Sequence, residues 1–206
     1  MDPHPSPGVG RGGSLCTYAM ATSLTLRALF SRAIGRTGLD KSTPITAGLT
    51  PAAKALAAVA TARSGSGITL LVAPSDRDAE QLTADARFFW ASLEGASESD
   101  VDRSVLPFPS LQVDPYRGMT PHFRVASARA RALHAAATGS ARLIVASAAA
   151  LLPRVSPPAR LLQASIELRS GTEIEPTALA DLLVDAGFVR EDPVDEHGSF
   201  TMRGGI

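Results

Sequence analysis

Cysteine occurs once in these 206 residues, at Cys16, so no internal disulfide can form and no thiolate cluster can hold a metal. The four histidines, His4, His122, His134 and His197, lie too far apart for the i,i+4 pairing of a helical zinc site. The residues offer no metal site and no catalytic constellation. No run of about 18 apolar residues occurs, so nothing is expected to span a membrane. Aromatic residues are only 5% of the chain, which leaves few rings to stack on nucleic-acid bases. Charge of either sign is also missing on balance: Lys+Arg and Asp+Glu both total 20, and the formal net charge is zero. A neutral chain has no long-range field to concentrate it on DNA or an anionic membrane. Any grip on nucleic acid would come from another part of a larger protein. What is present is globular: 45% hydrophobic and 19% charged residues, in a length that suits one or two domains with a real core.

Acidic residues are absent from Pro3 to Leu39, whereas Arg11, Arg27, Arg32 and Arg36 recur among Ser, Thr and Leu. That composition matches an organelle transit peptide. It is better suited to an amphipathic leading helix, roughly Leu24 to Ile34, behind a Pro/Gly-rich start at Met1–Gly13 that is expected to be disordered. Met20 is an alternative initiator. Residues 1–40 are therefore set apart as a disordered or loosely helical leader.

The body alternates strand and helix. Ile68–Ala73 (ITLLVA) is a short, continuous apolar run suited to a strand buried on both faces. Pro74 ends it and Ser75 supplies an N-cap, with Asp76 and Asp78 at the positive end of the helix dipole. Ala79, Leu82, Ala86, Phe89 and Leu93 then fall on one helical stripe. Val105–Phe108 reads as a second strand, followed by a proline-punctuated loop to Pro121 and a helix over Val125–Ala137. Arg142–Ala146 (RLIVA) is a third buried strand, and Ser147 caps a short helix stopped by Pro153. Strands alternating with helices predict an α/β fold, a parallel sheet flanked by helices, over residues 41–162.

After Pro157 and Pro158 the texture changes. Ser165–Arg169 (SIELR) alternates as a half-exposed strand does. Pro176 opens a helix whose stripe is Leu179, Leu182, Leu183 and Ala186, and Gly187 supplies a left-handed stop. Phe188–Arg190 and Ser199–Arg203 read as two strands joined by an acidic loop. Residues 163–206 thus begin a small α+β domain. So few residues cannot bury the inner face of a sheet, so the chain is expected to be a fragment.

Gly48-Leu49-Thr50-Pro51-Ala52-Ala53-Lys54-Ala55 carries the outline of a Walker A phosphate loop, G-x-x-x-x-G-K-[ST]. Three features depart from it. Ala53 puts a Cβ where the backbone must curl around phosphate. Ala55 removes the hydroxyl that binds magnesium. Pro51 deletes a backbone donor. Gly48, Thr50 and Lys54 remain, with a helix N-terminus able to attract an anion weakly. A plain helix start, capped by Thr50 with Pro51 at its first position, accounts for the same residues.

Several passages together resemble one family. Val105-Leu106-Pro107-Phe108-Pro109-Ser110 leads to Asp114-Pro115-Tyr116, to Thr120-Pro121-His122 and to the helix Ser127–Leu133. The order is similar to a passage of bacterial transcription-repair coupling factors, as are Val145–Val155 and the tail Glu196-His197-Gly198-Ser199-Phe200-Thr201-Met202-Arg203-Gly204-Gly205. The resemblance implies a cytoplasmic protein whose amino-terminal module is like the excision-repair protein UvrB, with a P-loop-NTPase-like fold and a degenerate Walker A loop. It implies that residues 41–162 are the UvrB-like domain and that 163–206 begin a domain docking UvrA, the damage-recognition ATPase. Arg203 aligns with an arginine used at that docking surface. Pairing within its own domain, with Glu196 or Asp195, is the alternative. The family's RNA-polymerase-binding domain and DNA-translocating motor, with its ATP and magnesium, lie downstream of this stretch. The fragment itself then needs no cofactor. The rival expectation is a nucleotide-binding helicase domain in which Lys54 still holds ATP. The group Arg124, Arg129 and Arg131 reads as a solvated helix face in preference to a nucleic-acid surface, given the zero net charge and the few aromatics.

Overall fold

The protein is described here by a computed structural model covering residues 25–40, 47–114, 117–166, 168–195 and 198–204. Helix α1 (Leu26–Thr37) is capped by the Thr25 side chain and ended by left-handed Gly38. Helix α2 (Pro51–Ser64) leads to strand β1 (Thr69–Ala73) and helix α3 (Asp76–Glu94). The short helix α4 (Glu98–Ser104) runs into β2 (Val105–Phe108), and α5 (Phe123–Thr138) leads to β3 (Leu143–Ser147). A 3-10 turn at Ala149–Leu151 precedes α6 (Pro158–Gln163).

The three strands form one parallel sheet in the order β1-β3-β2. Thr69 pairs with Leu143 and Ala73 with Ser147 on one side, and Val105 with Leu143 on the other. Central β3 is buried on both faces because its alternate residues serve two cores. Leu143 and Val145 join Val105 beneath α1, α2 and α3. Ile144 and Ala146 join Leu106 and Phe108 beneath Ala132 and Ala135 of α5. The expected α3 stripe is buried throughout: Ala79, Leu82, Ala86, Phe89 and Leu93 all lie in the first core. Burial of each large side chain stabilises the fold by about 1.5–3 kcal/mol. Ser75 caps α3 by accepting from the Asp78 amide at 3.1 Å, and left-handed Gly95 ends it. In α2, Ala55, Ala58 and Ala62 are small enough to let the helix lie close on α3. Phe30 of α1 meets Phe89 edge-on at 4.9 Å, which fastens the leading helix to the same core.

Strand β1 departs from expectation. Leu70 and Val72 are 51% and 48% exposed, so the ITLLVA run is buried on one face only. The cause is its place at the sheet edge, with α5 covering only the β2–β3 part of the second face. Residues 165–166 and 168–169 are not in a strand either. Their apolar alternation finds no neighbouring strand, and Ile166 and Leu168 are exposed. Helix α7 (Pro176–Asp185) begins at Pro176 as expected, and Gly187 has φ 91°. Strands β4 (Val189–Arg190) and β5 (Ser199–Phe200) exist, each of two residues, and pair in parallel. Ala180 is the one buried apolar residue among those described from 163 onward. Residues 1–24, with the possible start at Met20, and the acidic-loop residues Glu196 and His197 lie outside the described residues. No helix among the described residues is long and apolar enough to cross a membrane.

Candidate functional site at the carboxyl edge of the sheet

Helix α2 connects to β1 through only residues 65–68, so the two run in opposite directions. The Arg142 guanidinium, just before β3, donates to the Ala62 and Gly65 carbonyls at 2.8 Å each, placing the α2 C-terminus at the amino edge of the sheet. The Walker-like residues therefore begin α2 at the carboxyl edge, where open α/β sheets usually take ligands. Gly48 has φ 77°, a left-handed turn open to glycine. The Thr50 hydroxyl accepts from the Ala53 amide at 3.4 Å and its carbonyl from the Lys54 amide at 2.9 Å, an ordinary helix start with Pro51 in its first turn. Lys54 is exposed. Ala55 is fully buried and belongs to the first core. The described residues of this turn leave one lysine and a few backbone donors toward solvent, and position 55 carries no hydroxyl.

The same edge holds a polar knot that composition gave no hint of. Asp76, in the first turn of α3, accepts from the Ser110 amide at 3.1 Å and from the Ser110 hydroxyl. Burial would raise the Asp76 pKa, but hydrogen bonds from the Ser110 and Ser147 hydroxyls and the Ser110 amide outweigh it and lower the carboxyl below its ordinary range. Fully buried Ser147, at the end of β3, accepts from the Ala150 amide at 3.2 Å, but the expected short helix is a 3-10 turn whose N-cap is Ala148. The carboxylate thus ties the start of α3 to the loop that follows β2. It also places negative charge at the crevice, which opposes a phosphate there.

Arg129 corrects a sequence expectation. It is 7% exposed and not part of a solvated face. Its guanidinium donates to the Pro109 carbonyl at 2.7 Å and the Ala150 carbonyl at 3.2 Å, and lies 4.0 Å from the centroid of the Phe108 ring. Burial lowers its pKa from the ordinary arginine value. The signal was legible: Val125, Arg129, Ala132 and Ala135 occur at helical spacing on the buried stripe of α5. No buried side-chain polar atom among the described residues lacks a hydrogen-bond partner.

Arg203 lies far along the chain, just after β5. It pairs with Asp192 at 3.1 Å, not with Asp195, and both side chains are mostly exposed, at 67% and 63%. Among the described residues no hydrogen bond or ion pair joins Arg203 to Gly48, Thr50 or Lys54. Among the described residues, no group of three or more metal-ligating side chains converges.

These features define a class: an α/β domain with a three-stranded parallel sheet whose ligand edge is tied shut by its own side chains. No family model matches the chain. A curated "Transcription-repair-coupling factor" of Bacillus subtilis (strain 168) is 35% identical over 111 residues, 51% of this chain and 9% of that protein. A protein of the same name from Escherichia coli (strain K12) is 26% identical over 158 residues, 77% of this chain and 13% of its own length. The chain is thus related to the transcription-repair coupling factors, a family of DNA repair, and spans about a tenth of the length of these two relatives.

Proposed function

We propose that this chain is the UvrA-docking, UvrB-like end of a transcription-repair coupling factor and that it acts by contact, without hydrolysing ATP. The observation that carries the reading is the family passage itself, matched over 77% of the chain in one relative. Two physical features support it. Ala53 and Ala55 remove the room and the metal ligand that a triphosphate needs, and Asp76 sets a carboxylate at the crevice of the sheet. The α/β domain on this reading descends from P-loop NTPases and keeps their layout only. Arg203, on an exposed edge, offers a planar five-donor fork suited to a carboxylate of UvrA, and its pair with Asp192 is weak enough to exchange. The parent protein would act in the cytoplasm. It would release RNA polymerase stalled at a DNA lesion through a motor elsewhere in its chain, with ATP and magnesium, and bring in UvrA here.

The test is calorimetric titration of the full-length coupling factor with purified UvrA. Binding that weakens at least about tenfold in Arg203→Ala is the expected result. Absence of binding, or equal binding by the variant, overturns the docking role. One observation favours a second reading, residual nucleotide binding: Lys54 is exposed in the first turn of α2, close to the positive end of the helix. Micromolar affinity for an ATP analogue with magnesium, lost in Lys54→Ala, would establish it.

A further inference from the structure

Helix α1 is part of the fold, and only one of its faces meets the core. Ile34 is buried, and the Phe30 ring meets Phe89 at 4.9 Å and Phe88 at 5.9 Å, edge-on in both cases. Leu26 and Leu29, one turn apart, are 52% and 44% exposed, and Phe88 is 51% exposed. Arg32 and Arg36 follow Leu29 at spacings of 3 and 4, so one outer stripe of the helix is apolar and then cationic. Arg27, Arg32 and Arg36 are exposed and make no ion pair with a described residue. Neighbouring carboxylates do not cancel them. Helix α1 has none, and Asp40 beyond its end lines a cleft with Ser31 and Arg63 on the α2 side. On α3, packed against α1, Glu94 is paired with Arg63, and Glu80 stands about 12 Å along the helix from Phe88. Asp85 remains, one turn from Phe88, where it accepts from the Gln81 side-chain amide at 3.0 Å. Residues 1–50 hold Arg11, Arg27, Arg32, Arg36 and Lys41 against Asp2 and Asp40 alone, so this end is positive in a chain whose formal net charge is zero.

Charge and shape select the occupant. A second copy of the same face would set arginine against arginine. A lipid surface takes a broad apolar face sunk about 5–10 Å below the headgroups, and α1 turns its larger apolar residues, Phe30 and Ile34, to the core. Nucleic acid would engage the arginines and leave Leu26 and Leu29 in water. An acidic protein segment satisfies both halves of the stripe. The stripe repeats about every 5.4 Å, the pitch of a second helix laid along it, whereas alternate residues of an extended chain recur at about 6.6 Å. We infer that the outer face of α1 docks an acidic amphipathic helix of a partner protein, with leucine-like side chains against Leu26 and Leu29 and carboxylates one turn apart on Arg32 and Arg36. This surface does not involve Arg203 and does not rest on the UvrA reading.

Fluorescence anisotropy with the whole chain tests it. The probes are two labelled alanine-based helical peptides with leucines one turn apart, one carrying glutamates one turn apart and the other lysines in their place. The glutamate peptide binds saturably and at least about tenfold more tightly than the lysine peptide. Arg32→Glu combined with Arg36→Glu reverses that preference, and Leu29→Ser weakens both peptides about threefold or more. These positions are exposed, so the variants keep the thermal melt of the parent. Arg32→Ala with Arg36→Ala, which favours the helix, is a milder second pair that removes the preference without reversing it. Failure of the glutamate peptide to bind, equal affinity for the two peptides, or binding unmoved by both arginine pairs overturns the proposal. Tighter binding of random-sequence single-stranded DNA or of phosphatidylglycerol vesicles than of the glutamate peptide, lost in the same variants, also overturns it, because the face would then recognise phosphate.

Discussion

Removing Arg129 tests whether the polar knot holds the carboxyl edge together. Truncation to alanine leaves the Pro109 and Ala150 carbonyls without their donor, and an unsatisfied buried carbonyl costs about 1–3 kcal/mol. The cation–π contact with Phe108 adds about 0.5–2 kcal/mol. Relief from burying an unpaired cation offsets part of this. The net expectation for Arg129→Ala is a loss of about 3–4 kcal/mol, a large share of the roughly 5–15 kcal/mol that holds a domain folded. Arg129→Met keeps the apolar stem and loses about 2–3 kcal/mol. Arg129→Lys keeps the charge and one donor direction and loses about 1–2 kcal/mol. Urea denaturation gives these values, followed by the fluorescence of buried Trp90, the single tryptophan. Hydrogen exchange over residues 109–114 should accelerate in the same order. An alanine variant within about 0.5 kcal/mol of the parent, or a methionine variant more stable than it, would refute the assignment of Arg129 as the tie between the two loops.

The main layout was legible because its signals are local. The stripe from Ala79 to Leu93, the Ser75 cap and the Val105–Phe108 run each declare an element within a few residues, and each element formed there. Thr50 and Pro51 also declared an ordinary helix start. What escaped depends on neighbours distant in sequence. ITLLVA is apolar on both sides, yet its position at the edge of the sheet decides that Leu70 and Val72 meet solvent. SIELR has the alternation of a strand, but hydrogen bonds need a partner strand, and among the described residues no strand pairs with residues 165–166 or 168–169. Arg129 was misread by its charge: the helical stripe marked it as inward, and only the carbonyls of two later-packed loops make that burial tolerable. Asp76 likewise looked like a helix-dipole residue and is also the acceptor for Ser110, 34 positions away.

Other perturbations separate core, knot and surface. Leu93→Ala, at a fully buried position, costs about 3–5 kcal/mol by urea denaturation. Asp76→Asn tests the lowered carboxyl: a depressed folded-state pKa stabilises the fold above the unfolded value near 3.8, and this is lost as pH falls through the folded one. The stability gap between parent and variant is therefore constant above about pH 5 and narrows below about pH 4, measured by denaturation across that range. Arg203→Ala, breaking an exposed pair, changes stability by less than about 1 kcal/mol while weakening UvrA binding. The Walker outline gives the last test, by attempted restoration. Ala55→Ser restores the missing hydroxyl in name, but position 55 faces the core, so the new oxygen is buried and not delivered to a metal. Ala53→Gly frees the backbone at a cost of about 1 kcal/mol in helix stability. Calorimetry of the double variant with ATP and magnesium should show no micromolar binding. If the two changes did create such binding, the direction of the Ala55 side chain, and with it the claim that the edge keeps only the outline of a phosphate loop, would be wrong.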